Sequence, residues 1–352
     1  MDANRYLTGV LAGLLFCVGC CGSVEAKKKP DAALRDVKYI LGLYYGNGEN
    51  LLVREAGGEL QLFYRLPGDR CFETANMYPL TKQRFDHYTL VEAGPMSRFG
   101  EVSVKFERDQ DGYGVALKIG GHSYSRHFFP GEREGAEPYR LPERKDWDAL
   151  RMEAARLSVP KHLATGAQEE LTDLSGIAGL CQHSVYATSD NLFGVPLYTS
   201  SKLYLTRSAA LALGRAQKEL ARQGYGLVVW DAYRPWSVSK LASLALPDNS
   251  KGMLENPDTE GSVHNTGRAV DVGLCDLKTG KVLEQISGFD EPSLRQYVGY
   301  PGGTELQRYY RDLLAGVMEK CGFKGVAHEW WHFVYKPEVR FAHLNLGLED
   351  LQ

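Results

Sequence analysis

The chain has no surplus of basic residues: 41 Lys and Arg stand against 44 Asp and Glu in 352 residues, a net charge of −3. A nucleic-acid binder needs cationic side chains to neutralise phosphates, so that class is set aside. Glycine is frequent, at 38, but follows no period, which excludes a collagen-like chain or a low-complexity tail. No unit repeats at solenoid spacing. No apolar run reaches the roughly 20 residues that span a bilayer, so no membrane span is expected. The longest run, Tyr6 to Val18, has about 13 and suits a secretory leader better. Arg5 precedes it, and Val24-Glu25-Ala26 has the small-x-small form of a cleavage site. Residues 1–26 therefore read as a signal peptide, and the mature protein is expected in the periplasm or cell envelope. A rival reading makes Cys20, after Val18-Gly19, the lipid-bearing N-terminus of an anchored lipoprotein. Cysteine is sparse: loss of the leader leaves Cys71, Cys181, Cys275 and Cys321, which allow at most two bridges in three pairings. No Cys-x-x-Cys remains in the mature chain, so nothing suggests a cysteine-held zinc.

What is present divides into two unlike halves. Residues 37–130 read as a small antiparallel β accessory domain, a sandwich or a barrel. Leu51 to Glu55 and Leu60 to Tyr64 flank a Gly57-Gly58 turn, and short runs at Tyr88–Val91, Val102–Phe106 and Gly114–Ile119 follow at regular spacing. His87, His122 and His127 lie in this half without ligand-like neighbours. Residues 131–160, charged and carrying Pro138 and Pro142, read as a linker that runs into a short helix. From 161 to 352 strands and helices mix without regular alternation, which predicts an α+β domain with a central antiparallel sheet and flanking helices. The spacing of Leu213, Ala216 and Leu220 predicts a helix over 207–223, closed by Gly224 and followed by a buried strand, Leu227 to Trp230. A second helix is expected from Thr304, with Gln307 completing a capping box and Leu306, Leu313, Val317 and Cys321 on its apolar face.

Three constellations in this second half carry chemistry. Ser262-Val263-His264-Asn265-Thr266-Gly267-Arg268-Ala269-Val270-Asp271 holds two metal-ligand types seven residues apart. On one strand they would lie about 23 Å apart, and on a helix about 10 Å. Neither geometry lets both reach one ion, so the chain must turn back near Asn265-Thr266-Gly267. His328-Glu329-Trp330-Trp331-His332 matches the helical H-E-x-x-H zinc motif literally. Its aromatic, β-favouring composition between Gly325 and Pro337 predicts a strand instead, with Glu329 as base, His332 as ligand and His328 incidental. Glu338, His343 and Glu349 are further ligand types downstream. In Trp230-Asp231-Ala232-Tyr233-Arg234-Pro235, directly after a strand, Arg234 can face a cleft and meet a developing oxyanion.

Asp-Ala-Tyr-Arg-Pro, then Ser-x-His-x-x-Gly-x-Ala-x-Asp, then Glu-Trp-Trp-His, in that order, resembles the zinc D-alanyl-D-alanine dipeptidases of the vancomycin-resistance type. The resemblance runs from Ser184 to Lys336, with Val185 to Asn191 and Gly194 similar to the family's opening segment; the β half lies outside it. It implies one zinc per chain on His264, Asp271 and His332, with Glu329 as general base and Arg234 on the carbonyl oxygen. It also implies Asp290 as partner of the substrate's ammonium, and Ser262 and Tyr186 as substrate contacts, with Asp231 in support. Asn265-Thr266 and Gln285-Ile286-Ser287 depart from the family's pattern. The expected activity is hydrolysis of D-Ala-D-Ala or a closely related small dipeptide in cell-wall peptide turnover, with wall contact through the β domain. The alternatives are a D,D-carboxypeptidase on peptidoglycan stems and a zinc-containing wall-binding module without turnover.

Overall fold

The computed structural model describes residues 28–65, 76–90, 102–142, 144 and 146–351. The expected leader, its cysteines and Cys71 lie outside these residues. After a short helix, α1 (Arg35–Lys38), eight strands follow: β1 (Gly42–Gly46), β2 (Glu49–Ala56), β3 (Glu59–Arg65), β4 (Asn76–Arg84), β5 (His87–Leu90), β6 (Ser103–Arg108), β7 (Gly114–Ile119) and β8 (His122–His127). Each pairs antiparallel with the next and β8 returns to β1, so the sheet closes as a barrel. Among the described residues, closure leaves the barrel no edge strand to pair with another chain. Alternation along the strands sends Tyr44, Leu51, Val53, Leu62, Tyr64, Leu117 and Tyr124 into the barrel. The opposite set on β1–β3 is not uniformly polar. Leu43, Leu52 and Phe63 are register partners across three strands and belong to the core of the second domain, so one outward row is the docking face.

A second contact caps a helix across the junction. Glu55, 3% exposed, accepts the backbone N–H of Glu305 at 2.8 Å, and Arg308 donates to the Glu55 carbonyl at 2.7 Å. A carboxylate at a helix N-terminus satisfies an orphan donor and complements the helix dipole.

The charged stretch after the barrel packs rather than dangles: α2 (Trp147–Arg156) buries Leu150 and Ala154 in the second core, against α4 (Trp236–Ala245). That core surrounds a five-stranded sheet of β10 (Cys181–Gln182), β12 (Tyr225–Asp231), β13 (Ala269–Asp276), β15 (Glu329–Tyr335) and β14 (Phe323–Val326), in this order. A separate pair joins β9 (Leu171–Asp173) to β11 (Tyr204–Thr206). The expected antiparallel sheet is mixed at one edge, because β10 runs parallel to β12. Parallel neighbours need a crossover, and the chain between them makes one through β11 and α3 (Arg207–Ala221). α3 buries Ala209, Leu213, Ala216 and Leu220 and packs on β12.

α5 (Glu305–Lys320) starts at Thr304 with the reciprocal Thr304–Gln307 capping box. Its buried stripe is Tyr310, Leu314, Val317 and Met318, rotated from the face expected from sequence. Tyr310 meets Tyr225 of β12 edge-on at 5.7 Å, so the sheet engages the side that carries it, and Leu306 and Leu313 sit at the rim.

Candidate metal centre

Strand register assembles the centre. Asp231 stands opposite Asp271, and Asp271 opposite His332, so three polar side chains form a row across β12, β13 and β15. All three are buried, on the three central strands of the sheet. A bulge between Val229 and Asp231 sets the end of β12, the strand that leads into Arg234.

His264 reaches the row from a one-turn 3₁₀ segment, Val263–Thr266, just before β13. Ser262 caps this turn: its Oγ accepts from His264 N at 3.4 Å, and its own N–H donates to Asn265 Oδ1 at 3.0 Å. Gly267 then takes φ +70, where a Cβ would lie 2.6 Å from a Leu171 methyl, so glycine is required both for conformation and for space. The chain thus reverses between His264 and Asp271. Asn265, one of the departures from the family pattern, ties this turn down by donating to the Arg234 carbonyl at 2.8 Å and to Ser239 Oγ at 2.9 Å.

The donor atoms of His264, Asp271 and His332 lie within 4.8 Å of one another. His264 Nε2 is 3.2 Å from His332 Nδ1, and His332 Nδ1 is 2.9 Å from Asp271 Oδ1. His264 Nδ1 lies 2.7 Å from the Ala232 carbonyl, which can only accept; this holds the proton on Nδ1 and turns the Nε2 lone pair to the centre. Burial disfavours the His264 cation, but Asp271 and Asp231 together more than offset it and raise the imidazole to about 9. Burial alone would raise Asp271; His264 and His332 hold it well below the usual carboxylate range. Two imidazole nitrogens and an ionised carboxylate directed at one buried point are a donor set that a divalent cation would occupy.

The flanking groups surround this point. Glu329 opens β15 with Oε2 4.0 Å from His332 Nδ1, and its carboxyl, raised by burial, remains partly open to solvent. Strand geometry leaves His328 exposed beyond the end of β15, so the helical zinc motif is not formed. Among the described residues, Glu338, His343 and Glu349 stand outside the cluster: His343 packs on Gly261 and Glu349 accepts from Thr199.

Arg234 donates twice to Asp231 Oδ2, at 2.5 and 3.0 Å, and lies over the Tyr186 ring at 5.1 Å. Burial opposes its charge, yet Asp231 keeps the guanidinium ionised well above its ordinary value. Tyr198 donates to Asp231 Oδ1 at 2.5 Å, so both carboxylate oxygens are engaged. Sequence reasoning missed Tyr198, which lies in no motif. Tyr186 turns its hydroxyl to Asp290 Oδ2 at 2.5 Å and so joins Arg234 to Asp290. Burial, opposed by the Tyr186 bond and reinforced by Asp271 and Glu329, raises Asp290 to about 7.

The loop before Asp290 is held by aromatic packing. Trp230 stacks on Phe289 at 5.2 Å, and Phe289 meets Trp331 edge-on at 5.5 Å. Gly273 makes room for the Trp230 ring, which would lie 2.4 Å from any Cβ there. Ser287 Oγ, in the second departure from the family pattern, accepts from Trp330 Nε1 at 2.8 Å.

Comparison with known proteins places this half of the chain. The peptidase family described as D-ala-D-ala dipeptidase matches residues 167–343, which begin after the barrel. A D-alanyl-D-alanine dipeptidase of Escherichia coli K12 is 34% identical over 148 residues, 42% of this chain and 75% of that protein. One from Enterococcus faecalis V583 is also 34% identical, over 42% of this chain and 82% of its own length. A third, from Streptomyces coelicolor, is 29% identical over 46% of this chain and 89% of its own.

Proposed function

The chain belongs to the D-Ala-D-Ala dipeptidase family of peptidases, and from that membership we propose that it is an exported zinc dipeptidase. Its substrate on this reading is D-alanyl-D-alanine or a closely related dipeptide, released in cell-wall peptide turnover. The observation that carries the proposal is the convergence of His264, Asp271 and His332 on one buried point with Glu329 beside it. The fit to zinc rests on the donor set: two imidazoles, one with its Nε2 turned to the centre by the Nδ1–Ala232 bond, and a carboxylate. When bound, zinc supplies Lewis acidity and makes a water acidic enough to attack near neutral pH.

The remaining work falls to the protein. Glu329 takes a proton from the attacking water and delivers it to the leaving amine; its raised carboxyl suits a group that must both accept and donate. Arg234, aimed by Asp231 and Tyr198, donates to the carbonyl oxygen as negative charge develops on it. Asp290 pairs with the substrate's free ammonium, which relieves the cost of a buried carboxylate. Ser262 Oγ accepts from His264 N in capping the turn, which leaves its O–H free to donate to the substrate, the contact that the resemblance implies.

An ammonium partner is useful only where the second residue of the substrate carries the amino terminus, which favours a dipeptidase over a carboxypeptidase acting on longer stems. Incubation of the zinc-loaded protein with D-Ala-D-Ala, its L-containing isomers and a pentapeptide stem tests this directly. Release of D-alanine from the free D,D-dipeptide alone is expected. Equal release from the stem would transfer the reading to the carboxypeptidase, and no release from any substrate would leave the non-catalytic module.

A further inference from the structure

The barrel lies outside the family match, yet its last strand connects to the loop that carries Asp290. Asp290 has φ +55, a left-handed conformation that costs free energy in a non-glycine residue and persists only where its surroundings impose it. Those surroundings begin with Glu291, which is 5% exposed. Its carboxylate accepts from Gly288 N at 3.1 Å and from Ser293 Oγ at 2.5 Å, closing the loop on both sides of Asp290. It is fixed in turn by a two-pronged bond from Arg295, at 2.8 and 2.5 Å.

The Arg295 guanidinium lies over the ring of Phe129, its carbon 5.2 Å from the ring centre, and Phe129 is two residues beyond the end of β8. Phe129 is itself pinned. Its ring meets His127 of β8 edge-on at 4.8 Å, and its backbone N–H donates to Glu132 at 2.8 Å. Glu132 pairs at 2.9 Å with Arg126 of β8, whose side chain is 2% exposed. A cavity of about 760 Å³ runs between Tyr39, Gly42 and Arg126 of the barrel side and Gln285, Ile286 and Arg295 of the other. The ion pair across it, Lys38 to Glu284, is largely open to solvent and so contributes little. Phe129 and Glu132, just beyond the last barrel strand, join Arg126 of that strand to Arg295 beneath this loop.

We infer that the barrel is a specificity element: through Phe129 and Glu132 it holds Arg295 and Glu291, and these set Asp290 for the substrate ammonium. Phe129 and Glu132 are positioning residues, acting on Asp290 only through Arg295 and Glu291. The inference rests on the reading of Asp290 as the ammonium partner and extends it to a domain that the family resemblance does not reach.

The test uses the full-length, zinc-loaded protein with free D-Ala-D-Ala as substrate. N-acetyl-D-Ala-D-Ala, which has no ammonium, serves as a second substrate or, where uncleaved, as a competitive inhibitor. Phe129→Ala should raise KM for the free dipeptide about 3- to 10-fold with kcat nearly unchanged, the range expected for losing a partly desolvated cation–π contact. The affinity of the acetylated compound should not move, because it never uses Asp290. Phe129→Tyr, which keeps the ring, should restore the wild-type KM. Glu132→Gln should reproduce the selective loss, and it serves in place of Phe129→Ala should that variant not fold. Equal losses for both compounds, or no loss for either, would overturn the inference. Asp290→Ala separates it from the reading beneath. If that variant loses the preference for the free amine and the Phe129 and Glu132 variants keep it, only the role of the barrel falls. If Asp290→Ala keeps the preference, the ammonium reading falls and takes the barrel's role with it.

Discussion

The two sheets of this molecule bury different things. Inside the barrel the side chains are almost wholly apolar or tyrosine, and a buried acid there, Glu49, receives hydrogen bonds from the hydroxyls of Tyr64 and Tyr124. The five-stranded sheet buries Asp231, Asp271 and His332 side by side in its central strands, with His264 and Arg234 against them. Buried polar groups cost free energy unless each is matched, and here the matching partners are one another. Asp231 has Arg234 and Tyr198, while Asp271 stands between the imidazoles of His264 and His332. The barrel is thus organised for stability, and the second sheet gives up some stability for chemistry. Their junction follows the same division: apolar across Leu43, Leu52 and Phe63, charged where it nears Asp290.

Removing the ligands should break this comparison most completely. Ala in place of His264, Asp271 or His332 should reduce zinc from about one per chain to little and abolish turnover, since three protein ligands leave no redundancy. His328→Ala should leave both in place. Metal analysis of the four variants decides, and full occupancy in the first three would remove the site.

Next in size is Glu329→Ala, which should keep its zinc and lose about 10²–10⁴-fold in kcat, as expected for a missing general base. Near-normal turnover would require a different proton carrier.

The barrel should respond in the opposite currency. Leu117→Ala, at a fully buried position, should destabilise by about 2–5 kcal/mol while kcat and zinc content stay unchanged. Thermal unfolding followed beside activity tests this, and a parallel loss of kcat in folded protein would show the two sheets to be coupled through more than the Asp290 loop.

The smallest expected effect is a pH dependence. A carboxyl raised to about 7 is neutral below that value and cannot pair with an ammonium. KM for free D-Ala-D-Ala should therefore rise as pH falls through the Asp290 midpoint, by about tenfold per unit. Bound zinc, being cationic, moves that midpoint below 7. The affinity for the acetylated dipeptide should stay flat across the same range, and a matching slope would assign the titration to another group.

Much of this was legible in the residues, and the reason is the range over which each signal acts. The strands around Gly57-Gly58 and the Thr304–Gln307 cap depend on neighbours a few residues away, so local pattern shows them. The strand over Glu329–Tyr335 was legible for the same reason: aromatic β-formers between Gly325 and Pro337 outweigh a literal match to a helical motif. The need for the chain to turn back between His264 and Asp271 followed from bond lengths alone, and Gly267 meets it with φ +70. Non-local choices were not legible. The buried face of α5 depends on where β12 places Tyr225, and Tyr198 reaches Asp231 across 33 positions without any motif to mark it.

By itself, then, the sequence determined the order of the candidate chemical groups and the strongest local elements, such as the helices over 207–221 and 305–320 and the strand over 329–335, because motif order and side-chain periodicity are written in consecutive residues. Only the tertiary structure decided that the β half closes as a barrel and that β10 lies parallel at the sheet's edge. It alone aligned Asp231, Asp271 and His332 in one row and brought Phe129 of the first domain against Arg295 of the second. Register and docking are settled by how whole surfaces bury their apolar area, a sum over residues far apart in the chain that no single stretch contains.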